Sequence, residues 1–201
     1  MKINIVLRKM INTIFSRPQF FLFQFPRIII FRILSNCRHI IGSPHYRQPA
    51  LLQGKGTKVF GNNVCIGVLL SPGLYSGYTY INAKNRRSTI SIGDNVCINN
   101  NCFICSEGEG IEIGSDTLIG FDCEIIDTDF HDLDPDRRSA GAPRTSKVII
   151  GKNVFIGNHV RILKGVIIGD NAIVGNSTVV TRSVPDNIIV AGNPARIIRK
   201  I

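Results

Sequence analysis

Tryptophan is absent from this chain of 201 residues, methionine appears twice and histidine four times. So few imidazoles leave little choice of side chain for proton transfer near neutral pH. Acidic residues are missing from one half. Residues 1 to 93 carry thirteen Lys or Arg and no Asp or Glu, while residues 94 to 201 carry eleven basic and fourteen acidic residues. The net charge of +10 therefore belongs to the N-terminal part. Such a field favours an anionic partner there: a membrane surface, a polyanionic glycan or a nucleic acid. The plain alternative is a solvated basic face.

Apolar runs of spanning length are lacking too. Residues 18 to 34 (PQFFLFQFPRIIIFRIL) are the most apolar stretch, yet Arg27 and Arg32 interrupt it and Pro26 sits mid-run. A spanning helix needs about 20 mostly apolar residues, so no transmembrane segment is expected. No small-residue cleavage motif follows, so no signal peptide is expected either. Two compatible readings remain. The aromatic and aliphatic residues (Phe20, Phe21, Leu22, Phe25, Ile29, Phe31, Ile33) lie on a bilayer interface with Arg8, Lys9, Arg17, Arg27, Arg32 and Arg38 at the headgroups. Or they cap the open end of the domain that follows.

What the chain has in abundance is a period of six. Ile92, Ile98 and Ile104 are in phase, then Ile113, Ile119 and Ile125, then Ile150, Ile156, Ile162, Ile168, Val174 and Val180. Gly or Asn often follows, as at Gly93, Asn99, Gly114, Gly120, Gly151, Gly157, Gly169 and Gly175. A small or β-branched residue comes four positions after the aliphatic: Val96, Cys102, Thr117, Cys123, Val154, Val160, Val166, Ala172 and Thr178. This is neither a helical nor a simple strand period. A short β-rich repeat predicts a solenoid in which each hexad is a strand and a turn, with both recurrent side chains inside. The glycines and asparagines are expected to serve the tight turn backbone. Three hexads make a triangular coil, and coils stack at about 4.8 Å. The six cysteines are irregularly spaced, two of them inward, and read as reduced packing residues rather than disulfides or a zinc site. Tyr75 to Arg87 (YSGYTYINAKNRR) breaks the period; it reads as a glycan-contacting surface or as a poorly patterned first coil.

The hexads, the insertion DTDFHDLDPDRR (Asp127 to Arg138) between them, and the ending VPDNIIVAGNPARIIRK (Val184 to Lys200) together resemble the hexapeptide-repeat acyltransferases. The likeness covers roughly residues 58 to 201 and is closest to sugar O-acetyltransferases such as the galactoside and maltose enzymes. It implies an all-β solenoid, a left-handed parallel β-helix; the general crossover rule alone would favour the right hand. The expected organisation is an N-terminal basic apolar appendage and cap over residues 1–57, and a β-helix over 58–186 with a catalytic loop at 127–147. A C-terminal extension with a short capping helix would then occupy 187–201.

The resemblance implies acetyl-CoA as acyl donor, no metal, a homotrimer with donor sites between subunits, a saccharide acceptor and no nucleic acid. It places His131 in the loop as general base and Asn99 as candidate oxyanion donor, with turn asparagine as the plain alternative for the latter. Asp129 or Asp134 would orient the imidazole, or each is simply a turn residue. Cys105 is not a nucleophile, since the family transfers directly in a ternary complex. Donor-site matches are Asn158, Asn176, Thr181, Arg182, Arg196 and Arg199, the arginines suiting nucleotide phosphates. Phe155 would pack near the reaction centre or is an exposed coil residue, and His159 is expected at the surface or an interface. The activity expected is O-acetylation of a cell-surface polysaccharide or its lipid-linked precursor, in the cytoplasm, peripheral at the inner face of the plasma membrane through residues 1–40. Its rivals are N-acylation of an amino sugar, a serine acetyltransferase-like enzyme, and a non-catalytic scaffold.

Overall fold

The computed structural model describes Pro18 and residues 20 to 201; Arg8, Lys9 and Arg17, predicted at the headgroups, lie outside the described residues. The chain winds in coils of three short strands. The first coil holds β1 (Ile40–Ile41), β2 (His45–Tyr46) and β3 (Ala50–Gln53), the second β4 (Thr57–Phe60), β5 (Cys65–Ile66) and β6 (Thr79–Ala83). The third holds β7 (Thr89–Ile92), β8 (Cys97–Ile98) and β9 (Phe103–Ser106), the fourth β10 (Ile111–Ile113), β11 (Leu118–Ile119) and β12 (Glu124–Ile126). The fifth holds β13 (Val148–Ile150), β14 (Phe155–Ile156) and β15 (Arg161–Ile162), the sixth β16 (Ile167–Ile168), β17 (Ile173–Val174) and β18 (Val179–Val180). First strands form sheet A, second strands sheet B and third strands sheet C, all in parallel register. Sheet B is extended by β19 (Ile188–Ala191) and β20 (Arg196–Lys200).

The period of six is the burial pattern. Every in-phase aliphatic from Ile92 to Val180 is at most 3% exposed, and so is every small residue four positions on. Thr117 and Thr178 belong to that inner set; Thr117 satisfies its hydroxyl by donating to the Gly151 carbonyl at 3.0 Å. The turns work differently from expectation. None of Gly93, Gly114, Gly120, Gly151, Gly157, Gly169 or Gly175 has positive φ; the left-handed residue comes two positions later, at Asn95, Asp116, Asp122, Asn153, His159, Asn171 and Ser177. Asn and Asp tolerate that conformation best among side-chain-bearing residues. The glycine is required by stacking: a Cβ on Gly120 would lie 2.5 Å from the Gly157 carbonyl carbon of the next coil.

The predicted boundary at residue 58 moves. The first coil starts at Ile40, because β1 pairs with β4, β2 with β5 and β3 with β6. Its sequence hides the period because neither of its first two strands buries a residue. A π-helical turn over Phe20–Gln24 leads into helix α1 (Phe25–Leu34). Ile28 is its buried contact, and buried Gln24 donates to the carbonyls of Leu74 and Arg47 at 2.5 and 3.1 Å. Leu22, Phe23, Ile29, Ile30, Ile33 and Leu34 stay exposed. None of the described helices is long and apolar enough to cross a membrane.

The predicted C-terminal helix is a correction: β20 is an antiparallel strand on β19. Five residues cannot sustain an isolated helix, Ile197 and Ile198 favour strand, and the open edge of β19 offers unpaired backbone groups. The strand closes the last coil instead.

Candidate functional site

The loop leaves β12 and returns at β13, and its neck is tied. Asp127, fully buried, accepts hydrogen bonds from the Ser106 hydroxyl (2.7 Å) and the Glu107 and Gly110 amides (2.8 Å each). Thr128 and Thr145 form an antiparallel bridge across the neck. From there a relay positions the next residues. Lys84 pairs with Glu107, Glu107 accepts from the Thr128 hydroxyl at 2.9 Å, and that oxygen accepts from the Phe130 amide at 3.0 Å. Phe130 is thereby held at φ +61°, an uncommon conformation for a bulky side chain. The strained turn sends His131 outward, where its ring is exposed.

His131 Nδ1 lies 3.3 Å from the Arg138 carbonyl oxygen. A carbonyl only accepts, so Nδ1 carries the proton of the neutral ring and Nε2 is left as a base facing solvent. The expected carboxylate partner is not there. Asp129 Oδ1 is 3.3 Å from Lys164 Nζ, and Asp129 touches His131 only through its carbonyl, which accepts the His131 amide. Asp134 caps the short 3-10 helix Pro135–Arg137 and pairs with Arg137 at 3.3 Å, the turn role. A backbone oxygen seven residues downstream replaces the carboxylate, a pairing with no sequence signature.

The remaining predicted residues divide between two edges of sheet C. At the edge entering it stand Asn99, Asn158 and Asn176, which follow β8, β14 and β17. At the edge leaving it stand Asp129, His131, Thr181 and Arg182, which follow β12 and β18. About six residues of extended chain, roughly 20 Å, separate the edges. One chain therefore does not bring Asn99 to His131. Much of the asparagine chemistry is structural. Asn158 accepts the Phe121 amide at 2.9 Å and Asn176 the Asn158 amide at 2.8 Å, stitching coil to coil. Asn99 is half-buried and accepts the Asn100 amide at 2.7 Å; its neighbour Asn100, fully buried, instead ties down the 68–72 turn.

Arg196 and Arg199 face Ala191 and Ile189 across the hairpin, and a bulge between those pairs absorbs Ile198. Directly opposed residues share a sheet face, so the bulge puts both guanidinium groups on the outside of sheet B. Exposed Phe155 stands on the same outer face, three strands further in. His159, at φ +58°, places Nδ1 2.9 Å from Asp122 Oδ2, and Arg161 holds the same carboxylate at 3.2 Å. Although burial opposes it, His159 and Arg161 together hold the Asp122 carboxyl below its ordinary range. All six cysteines are free thiols. Among the described residues no cluster of three metal-ligating side chains occurs.

A groove on the outer face of sheet C escaped the sequence reading in part. Its cavity of about 500 Å³ runs from Asn101 at one edge to Phe130 at the other, across Tyr78, Tyr80, Asn82, Phe103 and the Lys84–Glu107 pair. The tyrosines lie in the Tyr75 to Arg87 stretch, which proves to hold the regular strand β6 of the second coil rather than a poorly patterned first coil. Phe103 and Phe130 were not singled out; the available signal was an aromatic at an outward position of two adjacent strands.

Residues 147–182 match the family model of the bacterial transferase hexapeptide (six repeats). WbbJ of Escherichia coli K12, provisionally named a lipopolysaccharide biosynthesis O-acetyl transferase, is 34% identical over 176 residues, covering 82% of this chain and 80% of its own. A galactoside O-acetyltransferase of Lactococcus lactis is 34% identical over 124 residues, 62% of this chain and 57% of that enzyme. The chain thus spans little more than half of the latter's length. A hexapeptide-repeat containing acetyltransferase of Vibrio cholerae matches the fold with a TM-score of 0.55 at 25% identity, covering 88% of this chain and 80% of that one. The chain belongs to the hexapeptide-repeat acyltransferase family. Its three parallel sheets and the Vibrio structure fit a left-handed β-helix.

Proposed function

We propose that this protein transfers an acetyl group from acetyl-CoA to a hydroxyl of a saccharide, within a surface polysaccharide or its lipid-linked precursor. The observation that carries the reading is His131: a strained turn presents it, a backbone carbonyl holds its Nδ1 proton, and its Nε2 is free. In the step proposed, the sugar hydroxyl oxygen attacks the thioester carbonyl carbon while its proton passes to His131 Nε2. The tetrahedral oxyanion collapses, the carbon–sulfur bond breaks, and the CoA sulfur takes the proton back from the imidazolium.

The division of residues between the two edges of sheet C supports a shared site. In a homotrimer, the His131 edge of one subunit would meet the Asn99, Asn158 and Asn176 edge of the next. The oxyanion donor would then come from the neighbour, and Arg196 and Arg199 would offer the paired cations that nucleotide phosphates require. The lipopolysaccharide role named for WbbJ is what favours a surface glycan over a free sugar. The exposed apolar side of α1, on the end of the molecule without acidic residues, supports work at the inner face of the cytoplasmic membrane.

Replacing the base tests the reading. His131→Ala should lower kcat by about 10²–10⁴-fold, the usual worth of general-base catalysis, with donor affinity and thermal stability unchanged. His159→Ala, already committed to Asp122, should be mild. Thiol release from acetyl-CoA with a saccharide acceptor, beside calorimetric CoA binding, measures both. Near-normal turnover by His131→Ala would sink the assignment.

A further inference from the structure

We infer that the groove on sheet C is the acceptor subsite, built for an uncharged pyranose ring stacked against Tyr80 and Phe103, an inference that rests on the sugar-transfer reading above. Tyr80 and Phe103 face each other in register on β6 and β9. Their rings stack at 5.2 Å with an interplanar angle of 14°. Phe130 meets Phe103 edge-on at 6.4 Å, and Tyr78 is braced from behind by Phe31 of α1 at 4.8 Å. Tyr80 and Phe103 are only half-buried, so ring surface remains open to the cavity. The apolar C–H face of a pyranose is the natural complement to an aromatic ring, whose face is electron-rich. The volume of about 500 Å³ lies in the usual small-molecule range of about 300–1,000 Å³.

Two features narrow the ligand. Asn82 donates to the Tyr80 hydroxyl at 2.9 Å, which leaves the phenol its own hydrogen to give to a sugar oxygen. And the two ionised side chains lining the groove, Lys84 and Glu107, neutralise each other. Diphosphates need unpaired cationic donors, so the groove suits a ring within a glycan chain rather than a nucleotide-activated sugar. The direction of the groove follows from Phe130: the end that this ring closes is the end next to His131. A sugar seated on Tyr80 and Phe103 would thus present its next hydroxyls toward the base.

The test uses the full chain with acetyl-CoA and two sets of probes, neutral glycosides (methyl β-galactopyranoside, methyl α-glucopyranoside, maltotriose) and nucleotide sugars (UDP-glucose, dTDP-glucose). Because the chain has no tryptophan and four tyrosines, tyrosine fluorescence reports occupation of the groove independently of turnover. Phe103→Ala and Tyr80→Ala should raise KM for a neutral glycoside at least tenfold and abolish its fluorescence response, with kcat and KM for acetyl-CoA little changed. Tyr80→Phe, which keeps the ring, should lose only a few-fold and guards against misfolding of the larger truncations. Transfer to glycosides with a KM indifferent to all three variants overturns the groove and leaves the proposed function standing. A fluorescence response without transfer keeps the groove and sinks the proposed function. Neither response nor transfer overturns both, and saturation by nucleotide sugars alone overturns the neutral-ring inference.

Discussion

At the scale of single residues, the site depends on groups that never meet substrate. Thr128 is buried and joins Glu107 to the Phe130 amide. Thr128→Val leaves both partners unsatisfied, at a cost of about 1–3 kcal/mol each if they stay dry, and frees Phe130 to leave its left-handed conformation. The expected result is a large fall in kcat with CoA affinity retained, restored by Thr128→Ser, which keeps the hydroxyl; a purely structural role would lower the melting temperature without that rescue of kcat. Cysteine reactivity offers a second check. Cys65 and Cys97 are register partners on sheet B. The Cys65 thiol beside it and the Arg47 charge outweigh burial to bring the Cys97 thiol down to about 7, while its neighbour and burial push Cys65 up. Lowering means the thiolate persists above that pH, so alkylation of Cys97 should rise to half its plateau near pH 7, earlier than an ordinary thiol at about 8.5. Peptide mapping after iodoacetamide treatment over pH 5 to 9 would show it; an alkaline midpoint would refute it.

At the scale of elements, the repeat was legible because one physical demand, an inward side chain on each short strand, recurs without exception from Ile92 to Val180. The reason for the glycines was not legible, since a turn residue and a stacking residue look alike in a sequence. Gly120→Ala distinguishes them. It needs no unusual φ but drives a methyl group into the Gly157 backbone, so it should destabilise by about 1–3 kcal/mol, as overpacking does. A midpoint of chemical unfolding identical to that of the parent protein would restore the turn explanation. The 127–147 loop was legible as an interruption of the frame and as the place of His131. Its internal wiring was not: Arg138 supplies a backbone atom, which carries no residue identity. The groove was half legible, because Tyr80 and Phe103 are 23 positions apart and become neighbours only once the 84–88 turn is set aside from the hexad count. The C-terminal strand was misread as a helix because a capping segment answers to the exposed sheet edge, not to its own propensity.

At the scale of the whole molecule, α1 and the π-helical turn before it both cap the first coil, through Ile28 and Gln24, and display Leu22, Phe23, Ile30 and Ile33. If that display meets lipid, Phe23→Glu with Ile33→Glu should abolish cosedimentation with phosphatidylglycerol vesicles while leaving the melting temperature intact, since both side chains are exposed. A parent protein that ignores such vesicles at low salt ends the membrane proposal. The solenoid adds something a globular fold would not. Coils stack in chain order, so position along the sequence becomes height along the axis, and a charge imbalance in the sequence becomes one in space. Nine basic and no acidic residues between 18 and 93 occupy one end of the prism, twelve acidic and two basic residues from 94 to 138 its middle, and nine basic and two acidic residues from 139 to 201 the other end. The charge is therefore banded along the axis, with two positive ends and a negative waist. Within a Debye length of an anionic surface, about 8 Å at physiological salt, either end is drawn in and the waist is pushed away. The exposed apolar residues at the N-terminal end choose between the two positive ends, so the molecule would arrive standing on that end, with the long faces of the prism, and the groove on one of them, turned sideways toward chains growing from that surface.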